Sequence, residues 1–231
     1  MTNKVASIAA VIPAAGRGRR MQSATPKQFL VVHGKTLLQH SVDAVLRDPR
    51  VEHVFIASDE QNEHAVAKSL PNISFVAGGA TRAESVLSGV LHAITQGYTH
   101  VVVHDAARPG LPAAVLSAVI DAALSGDNGA IVAMPVRDSL KRSEPDSDMI
   151  STSVSREHLW QAQTPQVFTA ALLADAISEM GVQHPQLTDE ASAMAYLGYH
   201  PRLVMGSLKN IKVTHPEDLE LVTAILAPPG R

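Results

Sequence analysis

Short apolar runs rich in β-branched residues recur along the chain, at Val5 to Ile12, Val51 to Ala57, Ile73 to Val76, His100 to Val103 and Ala130 to Ala133, with helical patterns between them. The clearest such pattern is Ala83, Val86, Leu87, Val90, Leu91 and Ile94, whose i, i+3, i+4, i+7 spacing makes one buried stripe. Leu37, Leu38, Val42, Val45 and Leu46 give a second stripe, and Val115, Leu116, Val119 and Ile120 a third. Strands that alternate with amphipathic helices predict an α/β fold, a mostly parallel sheet with helices on both faces. With 231 residues, 45% of them hydrophobic, the chain fits one domain over residues 1–231 better than two small ones.

The alternation breaks after Pro135. From Val136 to Ser155 the chain is polar, and SEPDSD forms a turn-prone centre between two segments of strand length. This predicts a β-hairpin arm at about 136–155 projecting from the body; a disordered surface loop is the competing reading, although structureless loops of that length are uncommon in compact domains. An arm that leaves its own domain needs something to grip, most simply a second subunit. A last helical stripe, Leu219, Val222, Ile225 and Leu226, opens with Pro216, Glu217 and Asp218, which suit a first turn.

Composition removes several functions. A formal net charge of −3 gives no global basic field for nucleic acid or an anionic membrane. The absence of cysteine removes disulfides, thiol nucleophiles and thiolate metal sites. No stretch approaches the roughly 18 consecutive apolar residues of a membrane span, and the first apolar run is strand-sized and followed at once by arginines, unlike a secretion signal. A cytoplasmic enzyme or binding protein, with neither nucleic acid nor membrane as partner, is the expectation.

The first apolar run ends in PAAGRGRRM, followed by PKQ. The small residues Ala14, Ala15, Gly16 and Gly18 let the backbone approach a nucleotide and turn N–H groups toward oxygen anions, and Arg17, Arg19, Arg20 and Lys27 add positive charge. The loop lacks the Lys-Ser or Lys-Thr of a Walker A motif and the third glycine of the dinucleotide fingerprint. Taken alone it also fits a surface turn with solvated arginines. Asp105 directly follows the strand VVVH, where an open sheet places ligands. A carboxylate there is either a turn former or a ligand for Mg²⁺, an ion that accepts one or two carboxylates together with phosphate oxygens. Gly78, Gly79, Thr81, Arg82 and Ser85 form a second small loop at a helix start, able to let a base or ribose lie against the backbone. Arg156, Thr188 and Lys212 read equally well as ordinary surface residues, and the histidines form no HExxH or dense cluster.

PAAGRGRRM with PKQ, GGATRAES, VHDAARP, PVRDSLKR, SREHLWQAQTPQVF, TDEASAM and NIKVTHPEDL, in that order, resemble the 2-C-methyl-D-erythritol 4-phosphate cytidylyltransferase family over nearly the whole chain. The resemblance implies a Rossmann-like nucleotidyltransferase fold and the joining of CTP to methylerythritol phosphate with release of pyrophosphate, assisted by Mg²⁺. It implies Arg20 and Lys27 as catalytic cations, with Pro13, Ala14, Ala15, Gly16, Gly18, Gly79 and Ser85 around the nucleotide. Asp105 would serve both metal and acceptor, and Arg156, Thr188 and Lys212 would position the acceptor. It further implies a homodimer with interlocking arms, in which Arg156 serves the neighbouring site. Two departures stand out: Ala80 replaces an acidic residue of some relatives, and Ser139 a threonine whose hydroxyl it keeps. A ribitol-5-phosphate cytidylyltransferase and a non-catalytic nucleotide-binding module are the alternatives.

Overall fold

A computed structural model describes residues 6–16, 25–58 and 72–228. In chain order it forms β1 (Ile8–Pro13), β2 (Val31–Val32), β3 (Lys35–Thr36), α1 (Leu37–Val45), β4 (Val51–Ser58), β5 (Ile73–Ala77), α2 (Arg82–Thr95), β6 (His100–Val103) and α3 (Ala113–Leu124). There follow β7 (Ala130–Pro135), β8 (Leu140–Ser143), β9 (Ile150–Val154), β10 (Trp160–Thr169), α4 (Ala170–Met180), α5 (Glu190–Tyr196), β11 (Arg202–Met205) and α6 (Pro216–Ile225). Each expected strand and helical stripe is present. Sequence reading passed over β10, α4 and β11.

The central sheet has the order β11-β7-β10-β6-β1-β4-β5. Pairings β1 to β4, β1 to β6, β4 to β5 and β7 to β11 are parallel, and β10 runs antiparallel to both its neighbours. Both faces are covered, so the strands read as continuous apolar runs and not as alternating ones. Ile8, Ala10 and Ile12 of β1 enter a core with residues of α1 and α3, whereas Ala9 and Val11 enter the opposite core with residues of α2, α4 and α5. From β1 the chain runs outward to β4 and β5, then returns to β6 on the other side of β1. That reversal opens a crevice beyond the carboxyl ends of β1 and β6, the place where such sheets bind ligands.

Local chemistry fixes the helix start at this crevice and that at the recess beside it. Thr81 caps α2, its side chain accepting from the Glu84 amide while Glu84 returns to the Thr81 amide, a complete capping box. Asp189 and Ser192 do the same for α5. The expected arm is an antiparallel hairpin of β8 and β9 separate from the main sheet, and residues 141–153 are all exposed.

Candidate active site

The crevice has a volume of ≈ 300 Å³ and is built from three loops. After β1, the Ala14 amide donates to the Ala57 carbonyl at 2.7 Å, continuing the sheet by one bond. Gln28, only 4% exposed, then donates its amide hydrogens to the carbonyls of Ala14 (2.7 Å) and Gly16 (2.8 Å). One buried side chain thus fixes the curvature of the loop. The second loop packs directly on the first: a Cβ at Gly78 would lie 2.5 Å from that of Ala15, so a larger residue would force the loops apart. Ser85 accepts from the Gly79 amide at 3.0 Å and donates to the Thr81 carbonyl at 3.0 Å. Its hydroxyl braces the Gly79 turn while lining the crevice.

The third loop follows β6 and carries the charge. Asp105 Oδ1 accepts from Arg82 Nε at 3.1 Å, and Oδ2 accepts from Lys212 Nζ at 2.8 Å and from Arg108 Nε at 3.3 Å. Burial by itself raises the pKa of Asp105, but the attraction of Arg82, Lys212 and Arg108 outweighs it and holds the carboxyl well below its usual range. Arg82 makes a two-pronged contact with buried Glu190, Nη1 to Oε1 at 2.6 Å and Nη2 to Oε2 at 3.1 Å. Burial opposes the charge on Arg82, and the carboxylates of Glu190 and Asp105 more than compensate, raising its pKa. Lys27, in a 3-10 turn (Lys27–Phe29), donates to the Val213 carbonyl at 2.8 Å and lines the crevice.

Beneath Asp105 lies a layer of buried polar groups. Thr164 Oγ1 accepts from the Asp105 amide at 2.9 Å and donates to His104 Nδ1 at 3.1 Å, because His104 Nε2 is already a donor to the Arg108 carbonyl at 3.0 Å. Burial pushes the His104 pKa down to about 4, so the ring is neutral near pH 7 and keeps this tautomer. Arg108 Nη1 donates to the Asn210 carbonyl at 2.8 Å, and Asn210 Nδ2 donates to the Thr164 carbonyl at 2.7 Å. Asn210 Oδ1 is buried without a hydrogen-bond partner; the other groups named have defined partners, which pre-organise the loop carrying Asp105.

Pro13, Ala14, Ala15, Gly16, Lys27, Gly79, Ser85, Asp105 and Lys212 therefore share one crevice. Arg20 and Gly18 lie outside the described residues. Thr188 is exposed and stands apart, beside a recess of ≈ 30 Å³ that Arg82 and Glu190 also line. Arg156 is exposed at the base of the arm, its guanidinium donating to the Arg137 carbonyl, and does not line the crevice of its own chain. Sequence reading did not single out Gln28, Glu190, Arg108, Thr164 or Asn210. All lie inside the quoted motifs, but their roles depend on partners remote in sequence.

Mg²⁺ fits this chemistry only in part. Among the described residues no group of three His, Asp or Glu side chains stands together, and both oxygens of Asp105 already accept from cations. A metal held by protein alone does not fit; one carried on nucleotide phosphates would find Asp105 as the single carboxylate that lines the crevice among the described residues, and would share it with those cations.

A mostly parallel sheet with a switch-point crevice, small-residue backbone loops and convergent cations suits a nucleotide-binding enzyme, and likeness to known proteins makes it a nucleotidyltransferase. The profile of the family described as 2-C-methyl-D-erythritol 4-phosphate cytidylyltransferase matches residues 8–228. A protein of that name from Idiomarina loihiensis is 56% identical over 230 residues, covering 95% of this chain and 91% of the relative. A crystal structure of a 4-diphosphocytidyl-2C-methyl-D-erythritol synthase superposes with a TM-score of 0.82 at 35% identity, covering 96% of this chain and 99% of the other. The Francisella tularensis 2-C-methyl-D-erythritol 4-phosphate cytidylyltransferase gives 0.83 at 29% identity, with coverages of 96% and 100%. The chain belongs to the 2-C-methyl-D-erythritol 4-phosphate cytidylyltransferase family. It is an enzyme that transfers CMP from CTP in a step of the isoprenoid pathway. No helix among the described residues is long and apolar enough to cross a membrane.

Proposed function

We propose that the crevice performs this transfer by positioning and electrostatics, without a covalent enzyme intermediate. A phosphate oxygen of methylerythritol phosphate attacks the α-phosphorus of CTP; that P–O bond forms as the bond from the α-phosphorus to the bridging oxygen breaks, and pyrophosphate leaves. The backbone at Pro13–Gly16 and Gly79 cradles the nucleotide, with Ser85 holding the Gly79 turn in shape. Lys27 faces the charge that grows on the α-phosphate and the leaving group, and the same role is assigned to Arg20 from its place in the family motif. At about 4 Å and an effective dielectric near 20, such a charge interaction is worth roughly 4 kcal/mol. When bound, Mg²⁺ neutralises phosphate charge, with Asp105 as its protein ligand.

Lys212 and Asp105 hold the acceptor beside the α-phosphate, and Thr188 at the neighbouring recess completes that side. The arm supports a homodimer: β8 and β9 form only a two-stranded hairpin, yet Met149 and Ile150 are exposed on it by 67% and 64%. Arg156 at its base, remote from its own crevice, then serves the neighbouring subunit. The cytoplasm, where CTP is made, is the proposed compartment.

The observation that carries this reading is the convergence of Lys27, Asp105 and Lys212 with the two small-residue loops on one crevice. Pyrophosphate release with purified protein, CTP and Mg²⁺ tests it, run with methylerythritol 4-phosphate, with ribitol 5-phosphate and without acceptor. Release only with the first is expected, and Lys27→Ala should slow it by about 10²–10³ while CTP still binds. Undiminished release by Lys27→Ala would overturn the role given to this cation.

A further inference from the structure

A second cleft, of ≈ 270 Å³, lies beside the loops that carry Asp105 and Lys212. Its walls include the apolar residues Pro112, Ile225 and Leu226 over the buried Leu111, together with the exposed cations Arg47 and Lys209, and no carboxylate among the described residues lines it. The volume is near the lower end of small-ligand clefts, roughly 300–1,000 Å³.

This cleft shares its walls with the crevice. The loop after β6 lends Asp105, Ala106 and Ala107 to the crevice and Gly110, Leu111 and Pro112 to the cleft. The segment after β11 lends Lys212 to the crevice and Lys209 to the cleft. The two stretches are locked backbone to backbone: the Val213 amide donates to the Ala107 carbonyl at 2.9 Å, and Arg108 donates to the Asn210 carbonyl. At Gly110 the approach is so close that a Cβ would lie 2.0 Å from the Lys209 carbonyl oxygen. A ligand that moves Lys209 or Pro112 therefore moves the chain that carries Lys212 and Asp105.

We propose that the cleft binds a small amphipathic anion, an organic monophosphate with a short apolar tail, and that its occupancy alters acceptor binding in the crevice. The apolar walls suit the tail. Arg47 and Lys209 suit the head group: Arg47 Nη1 donates to the Leu111 carbonyl at 3.4 Å, and the other N–H groups of its guanidinium suit phosphate oxygens. An uncharged apolar ligand would leave both cations without a counter-charge, and a cationic one would be repelled. Binding does not rest on the roles assigned to the crevice residues; only its kinetic consequence does.

Hexyl phosphate is the probe, titrated calorimetrically into protein saturated with CTP so that the triphosphate site is filled. Inorganic phosphate, hexan-1-ol and propyl phosphate are titrated in parallel. Hexyl phosphate should bind about tenfold or more tightly than each of these, since every buried methylene adds apolar area. Arg47→Ala and Lys209→Ala should each weaken it roughly three- to fivefold, the scale of an exposed ion pair, and leave turnover without hexyl phosphate unchanged. Bound hexyl phosphate should shift the KM for methylerythritol phosphate more than that for CTP. Failure of hexyl phosphate to bind, displacement of CTP by it, or undiminished binding to both variants overturns the site. Equal binding of inorganic phosphate overturns the apolar half, and binding with an unchanged acceptor KM overturns the coupling.

Discussion

In the crevice, Asp105 and Glu190 are 6% and 2% exposed and meet guanidinium or ammonium donors within 3.3 Å; on the arm, Met149 and Ile150 are 67% and 64% exposed. The first region hides charge, which is tolerable only when every ion is paired and hydrogen-bonded. The second displays apolar side chains on two strands, an assembly that is marginal by itself in water. The crevice is thus organised by contacts within the chain, whereas the arm, on the proposed reading, is organised for contacts beyond it. Substitutions should separate the two: in the crevice they change stability and chemistry of the single chain, and on the arm they change assembly.

The largest effect on stability is expected at Arg82. Removing it as Arg82→Ala leaves Glu190 buried without its two-pronged partner and strips Asp105 of one of three cations. The cost of an orphaned buried charge is about 3–5 kcal/mol, and the 30% exposure of the Arg82 side chain favours the lower end. Urea unfolding measures it, and Arg82→Met combined with Glu190→Leu should recover much of the loss. If the single variant is as stable as the parent, the crevice is not held by its ion pairs. Lys27→Ala should leave the fold nearly unchanged but lower kcat by about 10²–10³, the usual consequence of removing one donor aimed at developing charge.

These two residues show how far the sequence could be read. Lys27 is legible because a cation shortly after a small-residue loop at a strand end has a chemical meaning of its own. Arg82 is visible as a letter in GGATRAES, but its meaning lies in Glu190, 108 positions away, and nothing local announces that pairing. The same holds for Gln28, whose task is to grip two carbonyls. The fold was legible wherever periodicity was clean, as in β1 and α2. β10 escaped because its outer half, Trp160–Gln163, is largely exposed and its buried half mixes the polar Thr164 and Gln166 with Val167 and Phe168, so neither half reads as an apolar run. The four-residue edge strand β11, largely exposed, carries too little pattern to stand out.

A smaller effect separates buried histidine from buried carboxylate. The pKa of His104 falls from 6.5 to about 4 on folding, so as pH drops below 6.5 the unfolded chain takes up a proton that the folded chain refuses. Stability is therefore lost between pH 6.5 and about 4, by roughly 2 kcal/mol already at pH 5. Asp105 acts in a lower window: its folded pKa is depressed, so its contribution is present above the unfolded value of 3.8 and fades only as pH falls below it. Denaturant melts of the parent and of His104→Gln at pH 7 and pH 5 decide the matter. The variant, which keeps a donor for the Arg108 carbonyl but cannot titrate, should lose about 2 kcal/mol less over that interval. Equal losses would mean that the ring does not resist protonation.

The arm should give the smallest effect on the single chain. Ile150→Glu places a charge on a side chain that already faces solvent, so the stability of the isolated chain should change by no more than about 0.5 kcal/mol. If the proposed homodimer forms through the arm, sedimentation should nevertheless show a dimeric parent and a monomeric variant, and turnover should fall as Arg156 is withdrawn from the neighbouring crevice. Mixing tests the withdrawal directly. Lys27→Ala and Arg156→Ala proteins are each expected to be poorly active, but in a hybrid dimer one crevice receives an intact Lys27 from its own chain and an intact Arg156 from the other. Random reassortment of equal amounts makes half of the dimers hybrids with one intact site of two, so about a quarter of the parent activity should return. If mixing restores nothing while hybrids demonstrably form, Arg156 acts within its own chain, and the arm must swing toward a crevice that it does not line in this structure.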